Sequence, residues 1–371
     1  MSNKKKIVVD ARFWGPKDTG FGRYVKNLLE NLPSDPKIDV ILIISDKLGR
    51  QKALSRYKKK LKARFHPYSL LAQFEMFRLL RKIKPDLLYV PHFAVPFLWR
   101  GKLVITIHDL IKHVSRGKKT TTRQPAIYWL KYCLYLILVK YAVNKADKII
   151  VPVKYWKKRL IDYYQLPAKK VKVVYEGVDK SFLGKGAKLP FQPKTPYLVY
   201  VGNVYPHKNV ETLLKAVKLL NGEVYLYISC ARSVFWGRLE KIIDELEIGK
   251  WVTHIGFASD QELITLIRNS LAFTTASLVE GFGLPGLEAM AIGAPVISSD
   301  ASCLPEVYGQ AALYFNPHKP RDLANKIKLL LKNSQLRERL IELGKKQVKK
   351  YSWQKMAKEI WGLFEELLDK Q

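Results

Sequence analysis

Acidic side chains are scarce in this chain, with 32 Asp and Glu against 65 Lys and Arg, and cysteine is scarcer still, at three. Cys133, Cys230 and Cys303 stand far apart and match neither zinc nor disulfide spacing. A disulfide scaffold and a zinc module are thereby excluded, and the three read as buried thiols in a reducing cytosol. An uninterrupted apolar run of about 20 residues, which a membrane span needs, is also missing. The most apolar segment, Ala126 to Val143, is broken by Lys131 and Lys140, with eight uncharged residues between them. The opening MSNKKKIVVDARFW has the basic end of an export signal, yet its apolar run stops at Val9 before Asp10 and Arg12. A cytoplasmic location is therefore expected. There is no short-period repeat and no low-complexity segment, which excludes a solenoid or a disordered tail. None of the seven histidines forms a pair with metal-ligand spacing on one element, so no metal is expected.

What is present is enough apolar residue for two cores, since 371 residues at 48% hydrophobic exceed the size at which single cores stop growing. The net charge of +33 is unevenly placed: residues 1–190 hold 42 Lys and Arg against 13 Asp and Glu, or +29, which leaves +4 for the rest. One domain therefore carries the basic field and its partner. β-rich apolar runs at Lys6 to Val9, Val40 to Ile44, Leu87 to Val90, Leu103 to Ile107 and Ile149 to Val151 alternate with helical spacing. The alternation predicts a parallel sheet covered by helices. It lapses over residues 181–196, rich in Gly, Lys and Pro, which read as a linker. It restarts at Tyr197 to Val201, Val224 to Ile228, Val252 to Ile255, Leu271 to Thr274 and Pro295 to Ser298. The fold class expected is α/β with two Rossmann-like doubly wound domains: residues 1–180, strongly basic, and residues 197–350. A final helix over residues 351–371 has an apolar stripe from Trp353 to Leu368 that must dock.

In open parallel sheets ligands sit beyond the carboxyl ends of strands, which selects a few loops. Gly20 and Gly22, in TGFG, sit before a helix expected near Arg23, where free amides suit an anionic or hydroxyl-rich ligand; a flexible turn is the plainer reading. His108 ends a strand, where it could hydrogen-bond a sugar hydroxyl or be satisfied by the protein. Lys208 precedes a helix start, a position that favours a cation only if an anion faces it.

The stretch EGFGLPGLE, Glu280 to Glu288, spells G-x-G-x-x-G with Gly281, Gly283 and Gly286, and Asp300 follows the first glycine by nineteen residues. A dinucleotide fingerprint has that form. Against it, Ala276 to Glu280 separate the strand from the first glycine, and the next helix has room for only about two turns before Gly293. A helix opened by Pro285 and Gly286 could instead face a diphosphate, with the glycines giving the backbone access to the ligand and Glu280 and Glu288 accepting bonds from hydroxyls. A nucleotide sugar combines both chemistries.

The stretch EGFGLPGLEAMAIGAPVISSDASCLPEV resembles the signature of glycosyltransferase family 4, whose hallmark is two glutamates separated by seven residues. TGFGRY, TIHDL, KADKIIVPV, VVYEGVD, YVGN with PHKN, and ALYFNP resemble the same family in the same order. The resemblance implies a retaining, metal-independent transferase of the GT-B fold, two domains facing a cleft, with the last helix crossing back to the first domain. It implies no cofactor, a nucleotide sugar as donor, and a glycan or lipid-linked acceptor on the first domain. At the reacting centre it places His108 and Glu280, the latter on hydroxyls of the transferred sugar. For the donor it implies Gly20 and Gly22, Gly202, Lys208 on the diphosphate, the backbone of Gly281, Phe282, Gly283 and Leu284, and Glu288 on the ribose. Many members carry an arginine where this chain has Asn203, so a second positive charge is sought in Arg232 or His207.

The motifs look most like mannosyltransferase relatives, which favours GDP-mannose over a UDP-hexose. Basic clusters at Lys58-Lys59-Lys60, Lys118-Lys119 and Lys157-Lys158-Arg159 suit an anionic membrane surface, at about 1 kcal/mol per nearby basic residue. Peripheral docking on the cytoplasmic leaflet is the expected reason for the basic half. A dinucleotide-dependent oxidoreductase and a nonenzymatic nucleic-acid binder are the other classes; no nucleic-acid module is recognisable, and no nucleic-acid partner is expected.

Overall fold

A computed structural model describes residues 4–14, 20–46, 48, 54–117, 120–122, 124–231 and 233–369. The chain forms two compact units. One comprises Met1–Asp109, Pro125–Gly177 and Ser352–Gln371; the other comprises Leu110–Gln124 and Val178–Tyr351.

The first unit is built on β1 (Lys5–Asp10), β2 (Ile38–Ser45), β3 (Lys59–Ala63), β4 (Leu87–Val90), β5 (Lys102–Thr106), β6 (Lys148–Val151) and β7 (Val171–Val173). Among the described residues these form one seven-stranded sheet in the order β3-β2-β1-β4-β5-β6-β7, parallel throughout, with Ile7 opposite both Val40 and Leu87. Helices cover both faces, so Ile7, Val8, Val9 and Asp10 are all fully buried and the central strands need apolar side chains on both sides.

Two of these strands escape an apolar-run reading. β3 is an edge strand of lysines, with Lys59 paired to Asp39 at 2.9 Å and Lys60 donating to the carbonyls of Leu54 and Tyr57. This part of the Lys58-Lys59-Lys60 cluster is thus tied into the protein and blunts a sheet edge. β7 has only three residues. The final helix, Trp353–Asp369, belongs to this unit. It buries Trp353, Met356, Ile360, Trp361 and Phe364, each contributing roughly 1.5–3 kcal/mol of burial, and Lys102 Nζ donates to the Leu367 carbonyl at 2.6 Å.

The second unit carries β8 (Tyr197–Val201), β9 (Tyr225–Ser229), β10 (Val252–His254), β11 (Ala272–Thr275), β12 (Val296–Ser299) and β13 (Ala312–Phe315). They form a six-stranded parallel sheet, counted over the described residues, in the order β10-β9-β8-β11-β12-β13. Its core packs Leu198, Leu226, Ile228 and Ile297 of the strands against Leu213, Leu214, Leu323 and Ile327 of the flanking helices.

Three sequence expectations change. The helix after β1 begins at Gly20 rather than near Arg23. Cys230 and Cys303 are buried, but Cys133 is exposed. It lies on the helix Pro125–Lys145, which despite Lys131 and Lys140 is continuous, and long and apolar enough by composition to cross a membrane. That helix connects β5 to β6, which pair in one sheet.

Candidate donor site

The second sheet reverses its order between β8 and β11. From β8 the chain builds outward through β9 and β10, then returns to β11 and continues to β12 and β13. At such a switch point the loops leaving adjacent strands diverge and open a crevice. Lys208 comes from the loop after β8 and Glu280 from the loop after β11, and the two loops are joined by the Leu278 amide donating to the His207 carbonyl at 2.8 Å. Asn209, left-handed at φ 54, ties the same loops through its side-chain amide, which donates to the carbonyls of Ala276 and Pro317. The left-handed turn brings a helix start, Val210, to the same place.

Lys208 Nζ donates to both oxygens of Glu280, each at 2.7 Å, and the Ser277 hydroxyl donates to Oε1 at 2.7 Å. The Glu280 amide donates to Ser302 Oγ at 3.1 Å. Burial alone would raise the Glu280 carboxyl, but the Lys208 charge and the hydrogen bonds of Lys208 and Ser277 outweigh it and hold the group below its usual value. The anion that justifies a lysine before this helix is therefore, in the free protein, Glu280.

His207 does not supply the second positive charge. Burial, reinforced by Lys208, pushes its imidazole down to about 4, so it is neutral at pH 7. The other candidate, Arg232, lies outside the described residues. Asn203 is exposed, and its carbonyl accepts the Tyr200 hydroxyl; Gly202 beside it has φ 136 and donates its amide to the Ser229 carbonyl.

The helix Leu284–Ile292 has nine residues and is bounded by left-handed glycines, Gly283 at φ 98 and Gly293 at φ 93. The five-residue gap before Gly281 and this short helix are both unlike a dinucleotide unit. Two of the three glycines have a reason within the protein. A Cβ on Gly283 would stand 2.7 Å from the Tyr308 hydroxyl, and one on Gly286 would overlap the Tyr308 ring, whose hydroxyl donates to the Gly283 carbonyl at 2.7 Å. Clearance for Tyr308, rather than for a ligand alone, requires them. Phe282 is buried, edge-on to Tyr351; Gly281 and Leu284 are half-buried. Glu288 lies on the second turn of the helix and is 8% exposed. Cys303 donates to the Glu280 carbonyl, and burial with the nearby Glu280 charge keeps its thiol protonated, well above the ordinary value.

Of the expected residues in the first unit, Gly22 is buried and Gly20 is exposed with open space about its Cα, while the loop before them, residues 15–19, lies outside the described residues. His108 is buried, with Nε2 3.1 Å from the Pro91 carbonyl. A carbonyl only accepts, so Nε2 carries a proton. Nδ1 stands 3.5 Å from Glu176 Oε1, and the ring lies edge-on to Tyr24, at 4.5 Å. Beneath it the hydroxyls of Tyr24, Tyr89 and Thr106 bond one another. Both nitrogens of His108 thus face protein groups. Sequence reasoning missed Glu176, although it lies in the quoted VVYEGVD, and missed Ser277, Ser302 and Tyr308; none has a periodicity or spacing of its own.

The family described as Glycosyltransferase Family 4 matches residues 19–182, and that described as Glycosyl transferases group 1 matches residues 185–347. The chain is 29% identical over 241 residues to the O-antigen chain mannosyltransferase RfbU of Salmonella typhimurium, covering 64% of this chain and 62% of that protein. It is 24% identical to the O-antigen chain mannosyltransferase B of Escherichia coli, covering 91% of this chain and 93% of that one. In fold it is similar to sucrose-phosphate synthase of Thermosynechococcus elongatus, with TM-score 0.80 and 18% identity over 99% of this chain and 100% of the other. With the two family models matching residues 19–182 and 185–347 and two parallel doubly wound sheets, the chain belongs to glycosyltransferase family 4 and has the GT-B fold.

Proposed function

We propose that the protein moves a hexose, mannose from GDP-mannose, to a glycan or lipid-linked acceptor in cell-surface polysaccharide synthesis, with retention of anomeric configuration. The observation that carries the reading is the Lys208–Glu280 pair at the switch point, with Glu288 on the helix that follows. The choice of mannose is supported by the two relatives named as O-antigen mannosyltransferases.

Cleaving the sugar–phosphate bond builds positive character on the sugar and negative charge on the departing diphosphate. The protein's largest contribution is fixed positive potential at that diphosphate, assigned here to Lys208 and the first amides of the helices Val210–Leu220 and Leu284–Ile292. Glu280, kept ionised, accepts from sugar hydroxyls, and Glu288 accepts from the ribose. No metal enters the proposal, and turnover in the presence of EDTA tests that. The basic first unit, on the cytoplasmic leaflet, docks on anionic lipid where a lipid-linked acceptor resides.

A hydrolysis and transfer screen across nucleotide sugars tests the reading, together with thermal shifts by GDP, UDP and NAD. GDP-mannose turnover with GDP stabilisation is expected. UDP-hexose turnover alone would replace the donor, and stabilisation by NAD with neither nucleotide diphosphate would overturn the function.

A further inference from the structure

The helix Pro125–Lys145 has its faces inverted for a water-soluble unit. Val139, Ala142 and Val143 are buried on the sheet side. The outward stripe is Ile127, Leu130, Leu134 and Ile137, at the three- and four-residue spacing of one helical face, with Leu130 63% and Ile137 64% exposed. A helix apolar all round belongs in a core or in lipid, and this one has only one side in a core.

The patch continues across the unit. Tyr141 of this helix packs edge-on against exposed Phe97 and donates its hydroxyl to the Phe97 carbonyl, and the Phe97 amide donates to Gln73 on the helix Leu70–Ile83. That helix exposes Leu70 at 77%, with Leu71 and Phe74 beside it. The charge around the patch is strongly one-sided. Residues 70–84, 93–102 and 125–145 together hold nine Lys and Arg and one acid, Glu75, and Glu75 is engaged with the backbone amides of Arg64 and Phe65. Leu98 also lines a groove of about 310 Å³, together with Phe77, Leu80 and Trp99 and with the basic Arg81, Lys84 and Arg100. A lining that combines apolar and basic groups suits the phosphate and upper acyl region of an anionic lipid.

We infer that the outward face of Pro125–Lys145, with Leu70, Leu71 and Phe74, is an in-plane membrane insertion surface for an anionic bilayer. It rests on the membrane-docking part of the proposed function and deepens it by replacing surface charge alone with buried apolar contact. The helix lies along the interface and does not cross: its last residue, Lys145, stands three residues before β6, and one side, with Val139, Ala142 and Val143, is buried in the first unit. Apolar residues entering the acyl boundary add to the attraction of the basic collar.

The test uses the full chain and the double variant Leu130→Glu/Ile137→Glu, whose altered residues lie outside the donor machinery. Parent and variant are floated with vesicles of phosphatidylcholine containing phosphatidylglycerol at low and high salt, and the Trp129 contribution, taken as the difference from Trp129→Phe, is read with brominated acyl chains. Donor hydrolysis and thermal unfolding of the variant at parental levels serve as the folding control. Expected are vesicle partitioning weakened by at least about tenfold in the variant at low salt, and quenching of Trp129 in the parent. Parental binding by the variant would overturn the inference while leaving charge-driven docking in place. Absence of parental binding to anionic vesicles would remove both. A parental dimer in solution that Leu130→Glu/Ile137→Glu dissolves would give the surface to a second copy and overturn the inference.

Discussion

Replacing Lys208 with Met removes the cation that holds Glu280 and leaves the loops otherwise filled. Two charge-assisted bonds of 2.7 Å disappear, while that from Ser277 remains. Breaking a buried pair from one side costs about 3–5 kcal/mol. Here the side chains of Lys208 and Glu280 are 20% and 13% exposed, so water offsets part of the loss and about 2–3 kcal/mol at pH 7 is expected. For a unit of this size that is a fall of roughly 4–12 °C in unfolding temperature. The pH dependence separates this cause from a packing defect. In the parent the Glu280 carboxyl sits below its ordinary value, so its stabilising contribution is present above the unfolded value, near 4.3, and lost as pH falls through the folded one. In Lys208→Met burial acts without the cation, and the folded variant takes up a proton more readily than the unfolded chain. Its deficit therefore shrinks as pH falls, by up to about 1.4 kcal/mol per unit below the variant's own titration point. Thermal unfolding of both proteins at pH 7 and pH 5 measures the gap. A gap below about 1 kcal/mol at pH 7, or one unchanged at pH 5, would refute the account of Glu280 as a buried anion held by Lys208.

Gly286→Ala forces a methyl into the Tyr308 ring and is expected to destabilise by about 1–3 kcal/mol; lost GDP affinity with unchanged thermal unfolding would instead assign the glycine to the ligand. His207, pushed down to about 4, binds its proton less readily folded than unfolded, so it lowers stability as pH falls from about 6.5 to 4. His207→Asn should be less acid-sensitive across that window by roughly 2–3 kcal/mol, and identical pH–stability curves would contradict the shift. Glu176→Gln removes the charge facing His108 Nδ1 and is expected to slow transfer about tenfold with a changed pH–rate profile, Glu176→Asp recovering part. A parental rate and profile would leave Glu176 a purely structural residue.

Much of the sheet was legible because buried strands of parallel sheets must be apolar on both faces, and Leu87–Val90 and Tyr197–Val201 were bounded as found. Lys59–Ala63 was missed because an edge strand needs no such pattern, and its lysines read as surface charge. In the site, Lys208 and Glu280 were both placed in loops at strand ends, but their pairing depends on sheet order, which joins residues 72 apart. Gly283 and Gly286 look in the sequence like room for a ligand because Tyr308, which fills that room, comes later in the chain and carries no local signal. The helix Pro125–Lys145 has no polar face to orient it, and only the structure shows which apolar side is outward.

That the helix Trp353–Asp369 completes the first unit also bears on how the protein is made. On the ribosome the segments up to Gly177 emerge first, yet Tyr24 and Tyr89 lack Trp353 and Phe364, the rings that later meet them, until the second unit has been synthesised. At about 5–20 residues per second the intervening stretch takes roughly 10–35 s. Through that interval the nascent first unit exposes an uncovered apolar face, which makes it a client for chaperones and leaves a product truncated before Ser352 open to proteolysis.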